Sequence, residues 1–300
     1  MAISFGYGVL AAFFAITAVF ASPVALPDVN TSSTQAHTQR DFMINKNTQY
    51  SSLGYTWPNN KVTWCLNADK EADYKTVRDI ADKSWKKWKD VIGEKSSLKF
   101  APVDDKELEC KKYRGKVDMW EITLNYKMHA GSAHSGYMYQ DNRLNFDPRP
   151  IYSAMDAVVN FAHEMGHAFG LLHTHQRPDA WPSLLKLNCR NLRDYDSLAK
   201  KIGKGKVDDI CKTLNRRSAA AEGFSAAELL PYSNYMKDTS KEIVQNGDFD
   251  WDSIMLYNSE AGAKDGTLAL VKENGSKIGI NTEVSKGDGK QIENLYPKGK

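Results

Sequence analysis

The eleven residues from His163 to His173 (HEMGHAFGLLH) constrain this chain more than any other segment. His163 and His167 are four apart, so on a helix they stand on one face, one turn from each other. Two imidazoles so placed can grip one metal ion. Gly170 follows three residues later, where a helix stops most easily through a positive φ that glycine tolerates best. A turn there brings the chain back, so that His173 offers a third nitrogen. Three protein ligands leave one position open, which is the pattern of a catalytic zinc site; a structural site is closed by four. Glu164, beside the first ligand, is placed to act as general base on a zinc-activated water, whose pKa falls to about 7. The motif therefore predicts a helix ending at Gly170, one Zn2+ per chain held by His163, His167 and His173, and hydrolytic chemistry.

The flanking sequence predicts what carries that helix. Tyr74, Val77, Ala81, Trp85, Trp88 and Ile92 recur every three or four residues, and a helix is expected there, capped by Asn67 or Asp69 and ended by Gly93. Strands are expected at Val62 to Trp64, Leu98 to Val103, Met119 to Asn125, Tyr137 to Tyr139 and Leu144 to Phe146, with a turn at Asp141-Asn142. Ser153 and Asp156 have capping-box spacing ahead of the motif helix. Strands thus cluster before the key helix and mixed segments follow it. His37, His129 and His134 read as ordinary polar residues, and His175 as a neighbour of the site rather than a ligand.

Residues 1–21 contain an uncharged run, Val9 to Phe20, too short to span a bilayer as a helix, followed by small residues, Ser22 and Pro23. They are expected to be a signal peptide, with no membrane anchor and secretion to the extracellular space. Residues 22–52 are polar and predict a flexible linker or pro-segment; the folded domain is expected over 53–300. The four cysteines, Cys65, Cys110, Cys189 and Cys211, suit two disulfides in an oxidising compartment. Three pairings are possible, of which the two sequence-local bridges, Cys65–Cys110 and Cys189–Cys211, are favoured. Asn30-Thr31-Ser32 and Asn274-Gly275-Ser276 match the glycan-acceptor triplet. With 40 basic against 37 acidic residues, the net charge of +3 argues against nucleic acid or an acidic membrane as partner.

The long histidine motif, with Ser253-Ile254-Met255-Leu256-Tyr257 as a Met-turn, is the metzincin signature. The extension His173-Thr174-His175-Gln176-Arg177-Pro178-Asp179 and the S-x-M-x-Y form of the turn resemble the astacin-like zinc metallopeptidases. Trp57-Pro58 with Val62 resembles their domain start. Ser285-Lys286-Gly287-Asp288, with Ile292, Asn294, Leu295 and Tyr296, resembles their closing helix, so the likeness spans about residues 55–297. It implies an α+β fold: an N-terminal subdomain with a twisted mixed sheet and two long helices, and a C-terminal subdomain, mostly irregular, with a Met-turn and a closing helix. It also implies Met255 as an apolar floor under the metal and Tyr257 as a resting ligand that turns to stabilise the oxyanion. An edge strand near Ser132 to Tyr137 would pair with an extended protein or peptide substrate, and the enzyme would be a monomer. Two features depart from the family. Thr174 stands where astacins carry a Glu that contacts the new N-terminus, and residues 22–52 lack F-x-G-D, whose Asp blocks the zinc in astacin pro-segments. The stretch between His173 and Met255, with Cys189 and Cys211, reads as an insertion. A silent metzincin fold would have lost Glu164 or a zinc histidine. A matrixin-like enzyme lacks Tyr257 and Arg177-Pro178-Asp179.

Overall fold

The computed structural model describes residues 41–44, 55–68, 70–104, 108–127, 131–138, 142–149, 156–232 and 243–299. The strand signals before the motif become one sheet. Its members are β2 (Lys61–Asn67), β3 (Lys99–Pro102), β4 (Trp120–Leu124), β5 (Gly131–Ala133) and β6 (Arg143–Phe146), in the order β3-β2-β4-β6-β5. The first four run parallel, and β5 pairs antiparallel with β6 at one edge. Parallel strands need a crossover, and α1 (Glu71–Ile92) supplies it between β2 and β3.

α1 buries Val77, Ile80, Ala81, Ser84, Trp88 and Ile92 and leaves i,i+4 ion pairs such as Arg78–Asp82 and Lys83–Asp79 in solvent. Each such pair contributes a few tenths of a kcal/mol, so the helix is held by its apolar face. Its N-cap is Lys70, not Asn67, which is the last residue of β2; Asp69 lies outside the described residues. Gly93 ends it at φ 52°, its N–H donating to Lys89 O.

Against α1 lies α2 (Ala157–Phe169), the motif helix, buried along its length from Val159 onward. Asp156 itself is the N-cap, accepting from Val159 N at 2.9 Å; Ser153, expected to open the cap, lies outside the described residues. Trp88 Nε1 donates to Ala162 O, Ser84 Oγ to Val158 O and Trp57 Nε1 to Ala168 O. Phe161 and Phe169 pack edge-on against Trp120, Phe146, Trp85 and Trp88. A helix wedged between a sheet and a second helix can be apolar nearly all round, and this packing fixes where its histidines point.

The strand expected at Tyr137 to Tyr139 is reduced to one bridge, Tyr137 with Tyr55; Tyr139 and Asp141 lie outside the described residues. β5, at the sheet edge, overlaps the edge strand expected near Ser132 to Tyr137. Within 22–52, Asp41–Ile44 forms β1, paired antiparallel with β8 (Ile243–Asn246); residues 1–40, with the expected signal peptide, lie outside the described residues, as do His37 and His129.

Beyond the motif, short elements take over: α3 (Tyr195–Ile202), α4 (Lys204–Lys212), α5 (Arg216–Ala221), and β7 (Leu185–Leu187) paired with β9 (Leu270–Lys272). The stretch read as an insertion therefore carries three helices around its own apolar cluster, including Leu192, Leu198, Val207, Phe224 and Leu230. Cys189–Cys211 closes it (Cα–Cα 6.2 Å), and Cys65–Cys110 ties β2 to the turn before β4 (Cα–Cα 5.0 Å). α6 (Lys286–Leu295) closes the chain with a capping box between Ser285 and Asp288. Tyr296 just beyond it donates its hydroxyl to Phe169 O at 3.0 Å, tying the C-terminus to the end of α2. Among the described residues no helix is long and apolar enough to cross a membrane.

Candidate metal centre

Two of the candidate ligands come from one helix face and the third from the turn that follows. Gly170 leaves α2 in the left-handed region (φ 107°, ψ 11°), with its N–H bonded back to Gly166 O and His167 O. The reversed chain brings His173 over the helix, and Thr174 N fastens it to Met255 O at 3.0 Å. His173 Nε2 then lies 3.1 Å from His163 Nε2 and 3.0 Å from His167 Nε2. Among the described residues His163, His167 and His173 form the one group of His, Cys, Asp and Glu side chains able to hold a metal ion, and all three are buried.

The other ring nitrogens decide the protonation. His163 Nδ1 lies 2.8 Å from Ile254 O, His167 Nδ1 3.0 Å from Leu171 O, and His173 Nδ1 3.3 Å from Gln176 Oε1. Oxygens of this kind only accept, so each ring carries its proton on Nδ1 and turns a bare lone pair inward at Nε2. Burial lowers His163 to about 4 and His167 to about 3, and pushes His173 well below its ordinary value, so all three are neutral at neutral pH. Three converging lone pairs repel unless a cation stands among them. Zinc at its usual 2.0–2.1 Å from nitrogen sets tetrahedral donors about 3.3 Å apart, close to the observed spacing. The residues present therefore fit zinc.

Glu164 sits on the same helix, 4% exposed. Burial raises its carboxyl to about 8, opposed by a backbone hydrogen bond from Ala133 of β5. Among the described residues its Oε2 has no hydrogen-bond partner. Its space depends on Gly131, since a Cβ there would stand 2.5 Å from Glu164 Cγ and Oε1. The edge strand thus holds Glu164 by one residue and makes room for it by another. Gly166, between the first two histidines, does the same for Met255: a Cβ there would meet its Sδ at 2.4 Å. Met255, 1% exposed, lies under the motif helix. Neither glycine is marked by the spacing of the motif, because the need for each arises from a contact with another element.

Tyr257 places its ring 4.3 Å from that of His173, 4.6 Å from His175 and 6.0 Å from His163, measured between centroids. Burial pushes its phenol upward, so the hydroxyl stays protonated and can donate. His175 is fully buried against this ring, whereas His134 is exposed and outside the cluster.

The turn carrying Met255 and Tyr257 is pinned from α6. Asp288 accepts from Ser253 Oγ (2.6 Å), Ile254 N (2.9 Å) and Ser285 N (3.0 Å). Thr174 donates its hydroxyl to Ser253 Oγ at 2.8 Å. Threonine here serves the turn directly. Arg177 and Asp179 pair with each other, and Arg177 also donates to the carbonyls of Gly247 and Asp248, anchoring the chain just past the site.

No family model matches the chain. Curated proteins do. The chain is 22% identical over 247 residues to nematocyst expressed protein 6 of Nematostella vectensis, covering 81% of this chain and 65% of that protein. It is 25% identical over 212 residues to astacin-like metalloprotease toxin 2 of Loxosceles intermedia, covering 68% and 62%. The matches thus span less than two thirds of either relative. Solved structures include high choriolytic enzyme 1, a hatching enzyme zinc-protease from Oryzias latipes (TM-score 0.49, 16% identity, 84% of this chain and 98% of that one). Another is myroilysin (TM-score 0.47, 17% identity, 82% and 97%). Motif, site geometry and sequence relatives agree on one resemblance, to the astacin-like metzincins.

Proposed function

We propose that the chain is a secreted, zinc-dependent endopeptidase that hydrolyses peptide bonds with Glu164 as general base. The observation that carries the reading is the convergence of three Nε2 lone pairs beside a buried carboxylate with one unpaired oxygen. Zinc, when bound by His163, His167 and His173, supplies Lewis acidity to the scissile carbonyl and to the attacking water. The chain's residues do the rest. Glu164 accepts the proton of the water and returns it to the departing amine, so no covalent intermediate is needed. A bound cation beside it would hold its carboxyl well below the raised value it has among neutral histidines.

Tyr257 is positioned by the rings of His173 and His175 to donate to the oxyanion as it forms. Among the described residues β5 has a neighbouring strand on one side only, and an extended peptide added there would lie along Gly131 to Ala133, against the strand that holds Glu164. The buried Met255 fills the irregular gap under the site, as a flexible thioether suits. Two disulfides fit an oxidising compartment. Asn274, on the exposed turn after β9, offers a glycan acceptor that expression through a secretory pathway and glycosidase digestion would reveal.

The test is zinc content and casein cleavage of the purified protein beside Glu164→Gln, with and without chelator. One zinc per chain in both, with chelator-sensitive cleavage in the wild type alone, is the expected result. Zinc in both with cleavage in neither favours a silent fold that binds rather than cuts. Tyr257→Phe should lower kcat more than it changes KM, since its hydrogen bond belongs to the transition state.

A further inference from the structure

The side-chain amide of Gln176 lies between two groups with opposite requirements. Its Nε2 is 2.9 Å from Glu228 O and 3.5 Å from Ala227 O. Carbonyl oxygens only accept, so the amide nitrogen must face them and the amide oxygen must face away. That oxygen meets His173 Nδ1 at 3.3 Å. It too can only accept, so the proton of His173 belongs on Nδ1, and the bare lone pair on Nε2 points at the other two histidines. A flipped amide would set oxygen against oxygen at Glu228 and lose both bonds.

We propose that Gln176 is a positioning residue that sets the tautomer and ring orientation of His173, relaying a constraint from the carbonyl of Glu228 in the helical insertion. The proposal rests on the reading of the three histidines as zinc ligands. His163 and His167 lean directly on backbone carbonyls of Ile254 and Leu171. The third ligand depends on a side chain, and that side chain on a segment some fifty residues away in sequence.

The same carbonyl also serves Tyr257. His175 Nε2 donates to Glu228 O at 2.9 Å, which leaves its Nδ1 to accept from Tyr257 N at 3.4 Å. Tyr232 N donates to Gln176 O at 3.1 Å, closing the contact from the other side. Ala226, Ala227, Leu229 and Leu230, around Glu228, belong to the apolar cluster of the insertion. The insertion therefore acts as a support for the third ligand and for Tyr257.

The experiment uses the purified full chain, wild type, Gln176→Leu and Gln176→Glu, below the melting temperature of each. Glu keeps an acceptor toward His173 while giving up the amide donor. Zinc dissociation constants are measured by chelator competition, and imidazole 15N shifts are recorded on the metal-free protein. Gln176→Leu should bind zinc about 10- to 100-fold more weakly, the usual cost of losing a ligand's hydrogen-bond partner. Gln176→Glu, which keeps the acceptor but loses the anchor at Glu228 O, should recover part of that loss, and wild-type His173 should show the Nδ1–H form. Wild-type affinity in Gln176→Leu, equal weakening in both variants, or an Nε2–H form in the wild type would each overturn the proposal. A wild type that binds no zinc would overturn the metal-site reading instead.

Discussion

The two halves of the described structure reach the site by different means. Before His173 a five-stranded sheet and two helices enclose one large apolar cluster in which Trp57, Trp64, Trp88, Trp120, Phe161 and Phe169 are almost entirely buried. After it, short helices and turns surround a second cluster, and behind the residues at the site stand polar groups, Thr174, Gln176, Ser253 and Asp288, all buried and hydrogen-bonded. Met255 belongs to the first cluster and its neighbour Leu256 to the second, so one peptide bond joins the two cores beneath the candidate metal centre. Apolar packing is non-directional and sums over many contacts, which suits it to holding a helix rigid. Hydrogen bonds are directional, which suits them to orienting a ring. The first half thus places two histidines by packing, and the second orients the third histidine and Tyr257 by hydrogen bonds.

The largest expected effect breaks the boundary between the edge strand and the base. Gly131→Ala would push its Cβ into Glu164. Displacing a general base lowers kcat by about 100- to 10,000-fold, while zinc content and melting temperature should hardly change; a kcat within a factor of two of wild type would show that Glu164 adapts. Next come the cores. Trp88→Ala removes a fully buried ring and the donor to Ala162 O, and should cost about 3–5 kcal/mol in denaturant unfolding. Replacing Cys189 and Cys211 together by Ser should cost about 3 kcal/mol through the freed loop. If the halves are energetically separate, the disulfide variant should expose the insertion to protease before the sheet, and simultaneous cleavage of both would refute that division.

A smaller effect sharpens the role of Asp288. Burial raises its carboxyl from 3.8 to about 6 against the hydrogen bonds that oppose the shift. The folded state therefore holds a proton that the unfolded chain has lost. Its contribution is full below about pH 4 and declines as pH rises through about 6. Asp288→Asn cannot ionise, so it should gain on the wild type by up to about 3 kcal/mol across that window. Paired denaturation curves at pH 4 and pH 7 would check this, and a constant difference would place the carboxyl at its ordinary value.

How much of this was legible beforehand follows from the same physics. The helix of Trp85 and Trp88, the motif helix and its stop at Gly170 could be read off, because periodicity and the freedom of glycine act within a few residues. Both disulfides formed between the sequence-local partners. The cap of α1 was misplaced because β2 runs on through Asn67, and the pairing of a strand is a long-range event. Gly131 and Gly166 carried no local signal: what each makes room for comes from 33 and 89 residues further on, at Glu164 and Met255. Gln176 adjoins the motif yet carries no local signal, since its partner at Glu228 is decided by how the insertion folds back.

By itself, then, the sequence determined the ligand-type residues, their helix and the turn that follows, since an α-helix brings residues four apart together wherever it forms. Only the tertiary structure decided which nitrogen of each ring faces inward, what gives Glu164 its space, and what holds Tyr257 against His173 and His175. These depend on carbonyls and Cβ positions from distant segments, and such atoms meet only once the two cores have closed on each other.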